Sequence, residues 1–566
     1  MAAAPAVLAF LLWGLTCIRW FDSGASLRPW WLSATPPAFI GLATLAALVA
    51  WLWKRRYALL GRSEADPRGA LLLVLALTFF FRLPMAWWGA VGHLTSDGSL
   101  SGIMAVHLRD GIDHPVFIPN SGYSGSLKAH LTVVLALLTD MPRAFALASV
   151  LFYVAFVAAV YRLGLLVDRD GRVGLHAGLY AAFAPAWVTH YSLSNDGNYV
   201  EVLAFGSWAL LLAVGWIAEK EHRTTRAAAL GFLLGLAFWC HVLAVIYAAA
   251  VAVVLVAFGR RAVLSSVPAL VASFGAGYLP GLLWNAENAW FSLGYLVKGA
   301  HQDRSVDPLA FASRILPMVT DHWPILLGYD SGLAPALARR LSFVLAWGAV
   351  VSVAAAIVMV AVRARRRPPD ALTVLLVFTG VNVALAVAGA EHIPGNPRYL
   401  LFLMTPVPVL LAVTFGRGRW RAVLAVLVVF GALGSVATFP PSVEADARWR
   451  GFVAGLEREG VRWCHTDFYL AAKINFLSEE RIVCSSRLGP TYSDYFHYRE
   501  RVDPAPAADL IPINRWKAGR LEDRLRSLGV TYERVDLMKP VLLRLSRKVD
   551  PDELRGGPQP SPSTLR

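Results

Sequence analysis

The chain has 566 residues, of which 57% are hydrophobic and only 16% charged, and its mean hydropathy is +0.52. Soluble domains are about half apolar and a quarter charged, so this composition excludes a soluble enzyme, a disordered chain and a small disulfide-stapled secreted module. The formal net charge of +15 is compatible with nucleic-acid binding or with the positive-inside rule of membrane proteins. The positions of the basic residues decide between the two.

Apolar segments that are long enough to cross a bilayer recur along most of the chain. A spanning helix needs roughly 20 mostly apolar residues, and about thirteen segments approach this length. They lie near 3–19, 37–53, 70–90, 143–166, 175–191, 199–218, 227–240, 243–258, 264–284, 341–362, 371–390, 398–415 and 421–438. The first is either a retained helix or a cleaved signal peptide, and the absence of a basic n-region favours a retained helix. The pattern predicts a mainly α-helical, polytopic transmembrane bundle.

Most basic residues cluster in short connections that fall on one side of this bundle. The clusters lie at 54–56, 169–172, 220–226, 260–261, 363–367 and 417–421. The positive-inside rule assigns that side to the cytoplasm of a cell-membrane protein. The long segments 91–142, 285–340 and 439–566 are then extracytoplasmic. Much of the positive charge therefore reports topology, and nucleic-acid binding gains no support.

The composition changes sharply after residue 440. Polar helix patterns and short strand patterns alternate from Glu444 to about Arg547, which predicts a small extracytoplasmic α/β domain over 441–549. No Gly-rich phosphate loop follows any of these strands. Cys464 and Cys484 occupy matching places in two successive strands, where they form a disulfide or stay as two buried thiols. The Pro- and Ser-rich tail 550–566 is predicted to be disordered.

The first outer loop contains the acidic residue of greatest interest, Asp97. An apolar stripe at helical spacing follows it and predicts an amphipathic helix in the membrane interface. The stripe is formed by Leu100, Ile103, Met104, His107 and Leu108. A carboxylate at this position is either a general base beside low-dielectric lipid or the N-cap of the helix.

Two further acidic residues, Asp196 and Glu201, lie between the fifth and sixth predicted helices. Glu201 falls in the first turn of a membrane helix, where an ionisable group is costly and indicates function. With Asp97 they place three carboxylates on one outer face. Such a set either binds a divalent cation such as Mg²⁺ or Mn²⁺ through its oxygens, or divides into base and acceptor-orienting roles.

Basic residues on the same outer face are candidates for binding phosphate. They are Lys128, Lys298, His301, Arg304 and Arg398. The three residues from 298 to 304 recur every third position, so a helix would set them on roughly one face, although a solvated loop explains them equally. Arg398 stands at the entrance of an apolar helix, where a charge calls for an anionic ligand or a carboxylate partner.

Taken in order, these motifs resemble the GT-C membrane glycosyltransferases, especially bacterial relatives of the protein mannosyltransferase and aminoarabinose transferase families, of the glycosyltransferase family 39 type. The motifs are Arg-Leu-Pro at 82–84, Asp97, Tyr-Ser-Gly-Ser-Leu at 123–127, Asn-Tyr-Val-Glu at 198–201 and Pro-Arg-Tyr-Leu-Leu at 397–401. The resemblance covers about residues 70–440. It implies a GT-C core over 61–440, preceded by two extra helices within 1–60.

The resemblance also implies a function and roles for single residues. Such enzymes pass a sugar from a polyprenyl-phosphate donor to an envelope glycan, lipid or protein at the outer membrane face. Asp97 matches the acidic position of the first loop, and Gly98 follows where many relatives have a second acidic residue. Asp196 and Glu201 match the second acidic region loosely, and Lys128 and Arg398 match basic positions that hold the donor phosphate.

Two other classes of function remain open at this stage. A transporter of lipid-linked saccharides would share the many helices and the outer basic groups, but it predicts charges at helix centres and internal repeats, which the sequence lacks. A non-catalytic protein that binds or assembles envelope glycan is the other alternative, and Gly98 leaves it open.

Overall fold

The structure is a computed structural model in which a helical bundle is joined to a small C-terminal domain. It describes residues 67–119, 122–168, 171–194, 197–218, 224–258, 265–292, 294, 308–329, 336–364, 370–389, 397–489, 495–537 and 540–554. The predicted helices near 3–19 and 37–53 lie outside these residues.

Helices make up almost all of the described chain before residue 459. The first group is α1 (Pro67–Trp88), α2 (Ser96–Asp110), α3 (Leu127–Leu135), α4 (Met141–Val167), α5 (Arg172–Ala182), α6 (Ala186–Tyr191), α7 (Tyr199–Ala218), α8 (Thr224–Cys240) and α9 (Val245–Phe258). The second group is α10 (Val267–Gly277), α11 (Leu279–Glu287), α12 (Pro308–Pro317), α13 (Trp323–Leu326), α14 (Ala336–Ala364), α15 (Ala371–Gly389), α16 (Val407–Phe415) and α17 (Arg421–Arg458). Short 3-10 helices at Val242–Ala244, Pro397–Met404 and Gly418–Trp420 and a π-helical turn at Met318–His322 connect them.

Five helices of the described chain are long and apolar enough to cross a membrane, or seven if each of two bent pairs counts as one span. The predicted span 264–284 is the pair α10 and α11, bent by 67°, and 398–415 is the 3-10 helix Pro397–Met404 with α16, bent by 52°. The count of about thirteen therefore includes segments that are apolar but broken or short. Apolar composition alone does not report such breaks, because it contains no information on where the backbone turns.

The helix predicted after Asp97 is confirmed as α2, but it is more enclosed than an amphipathic helix in a membrane interface. Ten consecutive residues, from Gly98 to His107, are buried. The side that the apolar stripe leaves uncovered packs against the C-terminal domain, where Phe476 lies so close to Gly102 that any side chain there would overlap its ring. The domain thus forms a lid over α2.

The final helix of the bundle, α17, runs into the C-terminal domain without a break. It spans 38 residues and contains Pro440 and Pro441, so the predicted domain boundary at 440/441 falls inside a continuous helix. Its lower part presents apolar side chains to the bundle, and its upper part contributes Phe452, Val453 and Leu456 to the core of the domain. The two parts of the chain therefore share a helix rather than a flexible linker.

The C-terminal domain is an α/β unit, as predicted. A mixed five-stranded sheet in the order β2-β1-β3-β5-β4 is flanked by helices. Its elements are β1 (Trp463–His465), α18 (Phe468–Leu477), β2 (Val483–Ser485), α19 (Tyr498–Val502), β3 (Asp509–Leu510), α20 (Arg515–Ser527), β4 (Tyr532–Asp536), β5 (Val541–Leu545) and α21 (Pro551–Leu554). The strands that the sequence predicts at Val461–Cys464, Arg481–Cys484, Val530–Val535 and Val541–Leu545 correspond to β1, β2, β4 and β5, and the two-residue β3 at the centre of the sheet is not predicted.

The two cysteines of the domain form a disulfide. Cys464 and Cys484 are in register on the parallel strands β1 and β2, and they are bonded to each other. The predicted disorder from residue 550 is wrong for the first five positions of the tail. Arg487 donates hydrogen bonds to Asp550 and Asp552, each at 2.6 Å, and this holds α21 against the domain.

The C-terminal domain contacts the C-terminal part of α2 through the buried carboxylate of Glu480. His107 Nε2 lies 2.8 Å from Glu480 Oε1, Arg501 donates to Oε2 at 2.8 Å, and the hydroxyl of Tyr498 also donates to Oε1. Burial disfavours the charged form, but the hydrogen bonds from these three side chains outweigh it and lower the pKa of Glu480 to about 2.

This lowered pKa predicts a dependence of stability on pH. Since the folded pKa of about 2 is below the ordinary 4.5, the contribution of Glu480 is complete above pH 4.5 and is lost as the pH falls towards 2. We expect the difference in melting temperature between wild type and Glu480→Gln, measured in detergent, to be constant from about pH 7 to 5 and to shrink below about pH 4.5. A difference that stays constant at lower pH would contradict this reading.

Candidate functional site

Asp97 lies in the first turn of α2 and is exposed. It is not the N-cap, because Thr95 has that role: its side chain accepts a hydrogen bond from the amide of Gly98 at 3.1 Å. The alternative reading of Asp97 as a cap is therefore wrong. The positive end of the helix dipole favours a carboxylate in the first turn and stabilises its charged form.

Asp97 and Arg398 both lie within electrostatic range of one tyrosine. Both charges act electrostatically on the hydroxyl of Tyr199, the first residue of α7. Tyr199 itself is buried among aromatic rings. Its ring lies 5.1 Å from that of His241 and 5.8 Å from that of Tyr191, between ring centroids. An acidic and a basic residue from distant segments thus both lie near one cluster of rings, those of Tyr191, Tyr199 and His241, which is called the aromatic floor below.

Arg398 is the second residue of the 3-10 helix Pro397–Met404, on the outer side of the bend before α16. Its guanidinium carbon lies 5.3 Å from the ring centre of Tyr399, and the tyrosines at 191 and 199 also lie within its electrostatic range. The bend itself lies between Met404 and Val407, so Arg398 stands at the other end of the 3-10 helix, where it is partly buried.

His241 is a member of the aromatic floor with a defined proton position. Its Nδ1 accepts the amide hydrogen of Leu243 at 3.1 Å, so the neutral ring carries its proton on Nε2. The ring lies 5.4 Å from that of Tyr123 and is within electrostatic range of Arg398. His241 Nε2–H is therefore a neutral donor within electrostatic range of the Arg398 guanidinium.

Lys128 and Glu201 form a buried ion pair inside the bundle. Their side chains are 1% and 0% exposed, and Lys128 Nζ lies 3.8 Å from Glu201 Oε1. The ammonium also donates to the carbonyl of Ser194 at 3.4 Å and lies 4.5 Å from the ring centre of Phe145. The structure brings these two predicted site residues together, but it does so inside the bundle rather than at its open face.

Asn198 ties three segments of the site to one another. Its side-chain amide donates to Ser124 Oγ at 3.0 Å, to the carbonyl of Gly125 at 2.7 Å and to the carbonyl of Cys240 at 3.0 Å. Gly125 is required here, since a Cβ at this position would overlap the carbonyl of Trp239. This amide fixes the start of α7, and with it Tyr199, against the first outer loop.

The remaining predicted site residues lie outside the described residues. They are Asp196, Lys298, His301 and Arg304. In the part of the chain that the structure describes, no group of three or more His, Cys, Asp or Glu side chains is arranged to hold a metal ion. These described side chains do not fit a metal centre, and a divalent cation at Asp97 stays a prediction.

Comparisons with known proteins identify the fold. Neither a family model nor a curated protein sequence matches the chain. Among solved structures, ArnT from Cupriavidus metallidurans bound to undecaprenyl phosphate is similar, with a TM-score of 0.58 and 11% identity over 84% of this chain and 98% of that chain. The same protein in the apo state gives a TM-score of 0.57 and 12% identity over 87% and 99%. The chain has the GT-C fold.

A weaker match is the Archaeoglobus fulgidus oligosaccharyltransferase, with a TM-score of 0.45 and 13% identity over 81% of this chain and 70% of that chain. A TM-score this low supports no conclusion about the chain. The expected GT-C architecture, a transmembrane bundle with a small C-terminal α/β domain, is confirmed by the likeness to ArnT alone.

Sequence reasoning missed the aromatic floor of the site. Tyr199 belongs to the Asn-Tyr-Val-Glu motif, and His241 follows the end of α8, so both lie near positions that the sequence singled out. Neither carries a charge at an unusual place, which is the signal that drew attention to Asp97 and Arg398. Only the packing of α7 against the 3-10 helix and the first loop brings these rings together near the two charges.

The buried pair predicts a specific pattern of stability. Lys128→Met leaves the carboxylate of Glu201 in the bundle without a compensating charge, so we expect a loss of about 3–5 kcal/mol in unfolding free energy. The double variant Lys128→Met/Glu201→Gln removes both charges and is expected to recover part of that loss. Unfolding of the purified variants in detergent measures both values. Equal stability of the single and double variants would mean that the pair carries no charge compensation.

Proposed function

We propose that the chain is a membrane glycosyltransferase that moves a sugar from a polyprenyl-phosphate donor to an acceptor of the cell envelope, which is a glycan, a lipid or a protein. The observation that supports this proposal is that Asp97 and Arg398 both lie within electrostatic range of Tyr199 in a chain with the GT-C fold. The similar ArnT structure is bound to undecaprenyl phosphate, and this supports a polyprenyl-phosphate ligand for the basic side of the site.

The reaction we propose is a single displacement at the anomeric carbon. The Asp97 carboxylate accepts the proton of the acceptor hydroxyl while that oxygen forms its bond to the sugar. The bond between the sugar carbon and the phosphate oxygen breaks, and its electron pair leaves with the polyprenyl phosphate. Single displacement inverts the configuration at the anomeric carbon. The exposed position of Asp97 in the first turn of α2 supports its role as base.

Arg398 is proposed to bind the donor phosphate and to stabilise the charge that develops on it as it leaves. His241 Nε2–H is available on the same side as a neutral donor. Phosphate binding falls to Arg398 rather than to Lys128, because the Lys128 ammonium is buried and engaged with Glu201. The Lys128–Glu201 pair supports the floor of the site instead.

The extracytoplasmic location of the site is part of the proposal. It is supported by the basic clusters at 169–172, 220–226 and 417–421, which the positive-inside rule assigns to the cytoplasm. Counted along the chain, one predicted span separates Asp97 from the cluster at 169–172, and another separates Arg398 from the cluster at 417–421. A donor carried on a lipid fits this location, since it needs no soluble nucleotide sugar.

The decisive test concerns Asp97. Asp97→Asn removes the base but keeps the shape of the side chain, so we expect transfer to fall by at least ~100-fold. Cells that lack the gene are expected to accumulate a sugar-phosphate lipid, and lipid extracts from cells carrying Asp97→Asn should contain it at the same level.

The matched control is Asp113→Asn, which alters an exposed carboxylate of the same loop beyond α2. It should clear the accumulated lipid as wild type does. An Asp97→Asn variant that also clears the lipid would remove the catalytic assignment.

A second test separates donor binding from chemistry. Arg398→Ala should weaken the binding of undecaprenyl phosphate to the purified protein by roughly 10- to 100-fold, because a hydrogen-bonded charge contact is lost. Arg419→Ala, an exposed arginine on a connection assigned to the cytoplasm, is the control and should bind as wild type does. Equal affinities of the Arg398→Ala variant and wild type would take Arg398 out of the phosphate site.

A further inference from the structure

We propose that the C-terminal domain, together with the upper part of α17, positions Asp97 for the transfer reaction, and that Glu480 and Asp446 are its two positioning residues. The inference rests on the proposed function and gives the domain a role in it. Its basis is that α2, which carries Asp97 in its first turn, is held at both ends by side chains that come from beyond residue 440.

The first attachment lies just before α2. The amide of Val91 donates to Asp446 Oδ2 at 2.8 Å, and Asp446 on α17 is 6% exposed. Arg450 Nε donates to the other oxygen of Asp446 at 2.7 Å and its Nη1 to Asp140 at 3.0 Å. Gly92 lies against the carbonyl of Ser442 with no room for a side chain. These contacts fix the point at which the chain enters α2.

The second attachment lies at the far end of the helix. His107 Nε2 meets Glu480 Oε1 at 2.8 Å, with both side chains nearly inaccessible to solvent. Two residues further on, Arg109 pairs with Glu479. The hydrogen bond between His107 and Glu480 is buried, so the loss of one partner leaves the other polar group unsatisfied away from water.

The backbone of the turn after α18 is shaped for this contact. Glu479 and Glu480 have φ of 50° and 59°, in the left-handed region that is strained for a residue with a side chain. The amide of Glu480 donates to the carbonyl of Asn475 at 2.8 Å, which holds the turn. Glycine would form such a turn without strain, but it would lack the two carboxylates that reach α2.

A third contact joins the middle of α2 to the floor of the site. Phe476 of α18 fills the space over Gly102 and lies 6.0 Å from Phe145 between ring centroids. Phe145 in turn lies beneath the ammonium of Lys128. The domain, α2 and the buried ion pair therefore form one continuous packed unit.

These three contacts, Val91–Asp446, Gly102–Phe476 and His107–Glu480, are expected to affect the chemical step and not donor binding. A base must lie within hydrogen-bond reach of the proton it removes, and a displacement of about 1 Å can cost up to ~100-fold in rate. Arg398, by contrast, is on the 3-10 helix Pro397–Met404, and none of the contacts described above involves this helix. Loosening α2 should therefore lower kcat and leave the affinity for the donor phosphate unchanged.

The experiment uses the full-length protein with the lipid that accumulates in cells lacking the gene as donor and membranes of those cells as acceptor. Glu480→Ala and His107→Ala should each lower kcat by ~10- to 100-fold, with donor KM and the affinity for undecaprenyl phosphate within about twofold of wild type. The double variant should lose no more than either single variant, because both remove the same contact. Glu480→Gln, which keeps an acceptor oxygen for His107, should fall between wild type and Glu480→Ala.

The matched control is Glu522→Gln. Glu522 is buried and accepts from Arg534 at 2.8 Å within the domain, away from α2. This variant should lose stability but keep kcat. Full kcat in the Glu480→Ala and His107→Ala variants, or an equal loss of kcat in the Glu522→Gln variant, would overturn the positioning role. An active Asp97→Asn variant would instead overturn the proposed function, so the two failures are distinguishable.

Discussion

One hydrogen bond joins residues 355 positions apart and sets the geometry of the outer face: the amide of Val91 donates to Asp446. Asp446 is on α17, which continues from the bundle into the C-terminal domain, so the bond fixes the loop before α2 to a helix that both parts of the molecule share. The glycine pair at 89 and 92 makes the approach possible, because α17 comes too near for side chains there. From this anchor α2 runs beneath the domain to Glu480.

The second constraint is the cost of charge inside an apolar bundle, and the protein meets it with pairs and short polar contacts. Arg82 is fully buried, donates to Ser192 Oγ and to the carbonyl of Ala182, both at 2.7 Å, and stacks on Tyr153 with its guanidinium carbon 4.0 Å from the ring centre. Lys128 and Glu201 neutralise each other. Asp97 is exposed and Arg398 is only partly buried, and these are the two charges for which we propose roles in the transfer reaction.

The sequence predicts elements well and their mutual placement poorly. Long apolar runs gave α1, α4 and α7 almost to the residue, and alternating strand patterns gave β4 and β5, because both signals are local. The two bends of 67° and 52° and the short strand β3 escaped, since no local pattern encodes them. The site divides in the same way: Asp97 and Arg398 stand out as charges in unusual places, whereas Tyr199 and His241 matter through packing between distant segments.

The length of chain between Val91 and Asp446 has a consequence for biosynthesis. The ribosome delivers the chain from its N-terminus, so α2 emerges while nearly all of the helices that follow, and the whole lid above it, are still unmade. Until the C-terminal domain has folded, Gly102 lacks its contact with Phe476 and His107 lacks its contact with Glu480. If Asp97 is the base, as we propose, an unfinished chain already contains Asp97 but lacks the contacts from α17 and the C-terminal domain that position it. Efficient transfer would then begin only after the C-terminal domain has been made and folded, so an incomplete chain would consume little of the lipid-linked donor.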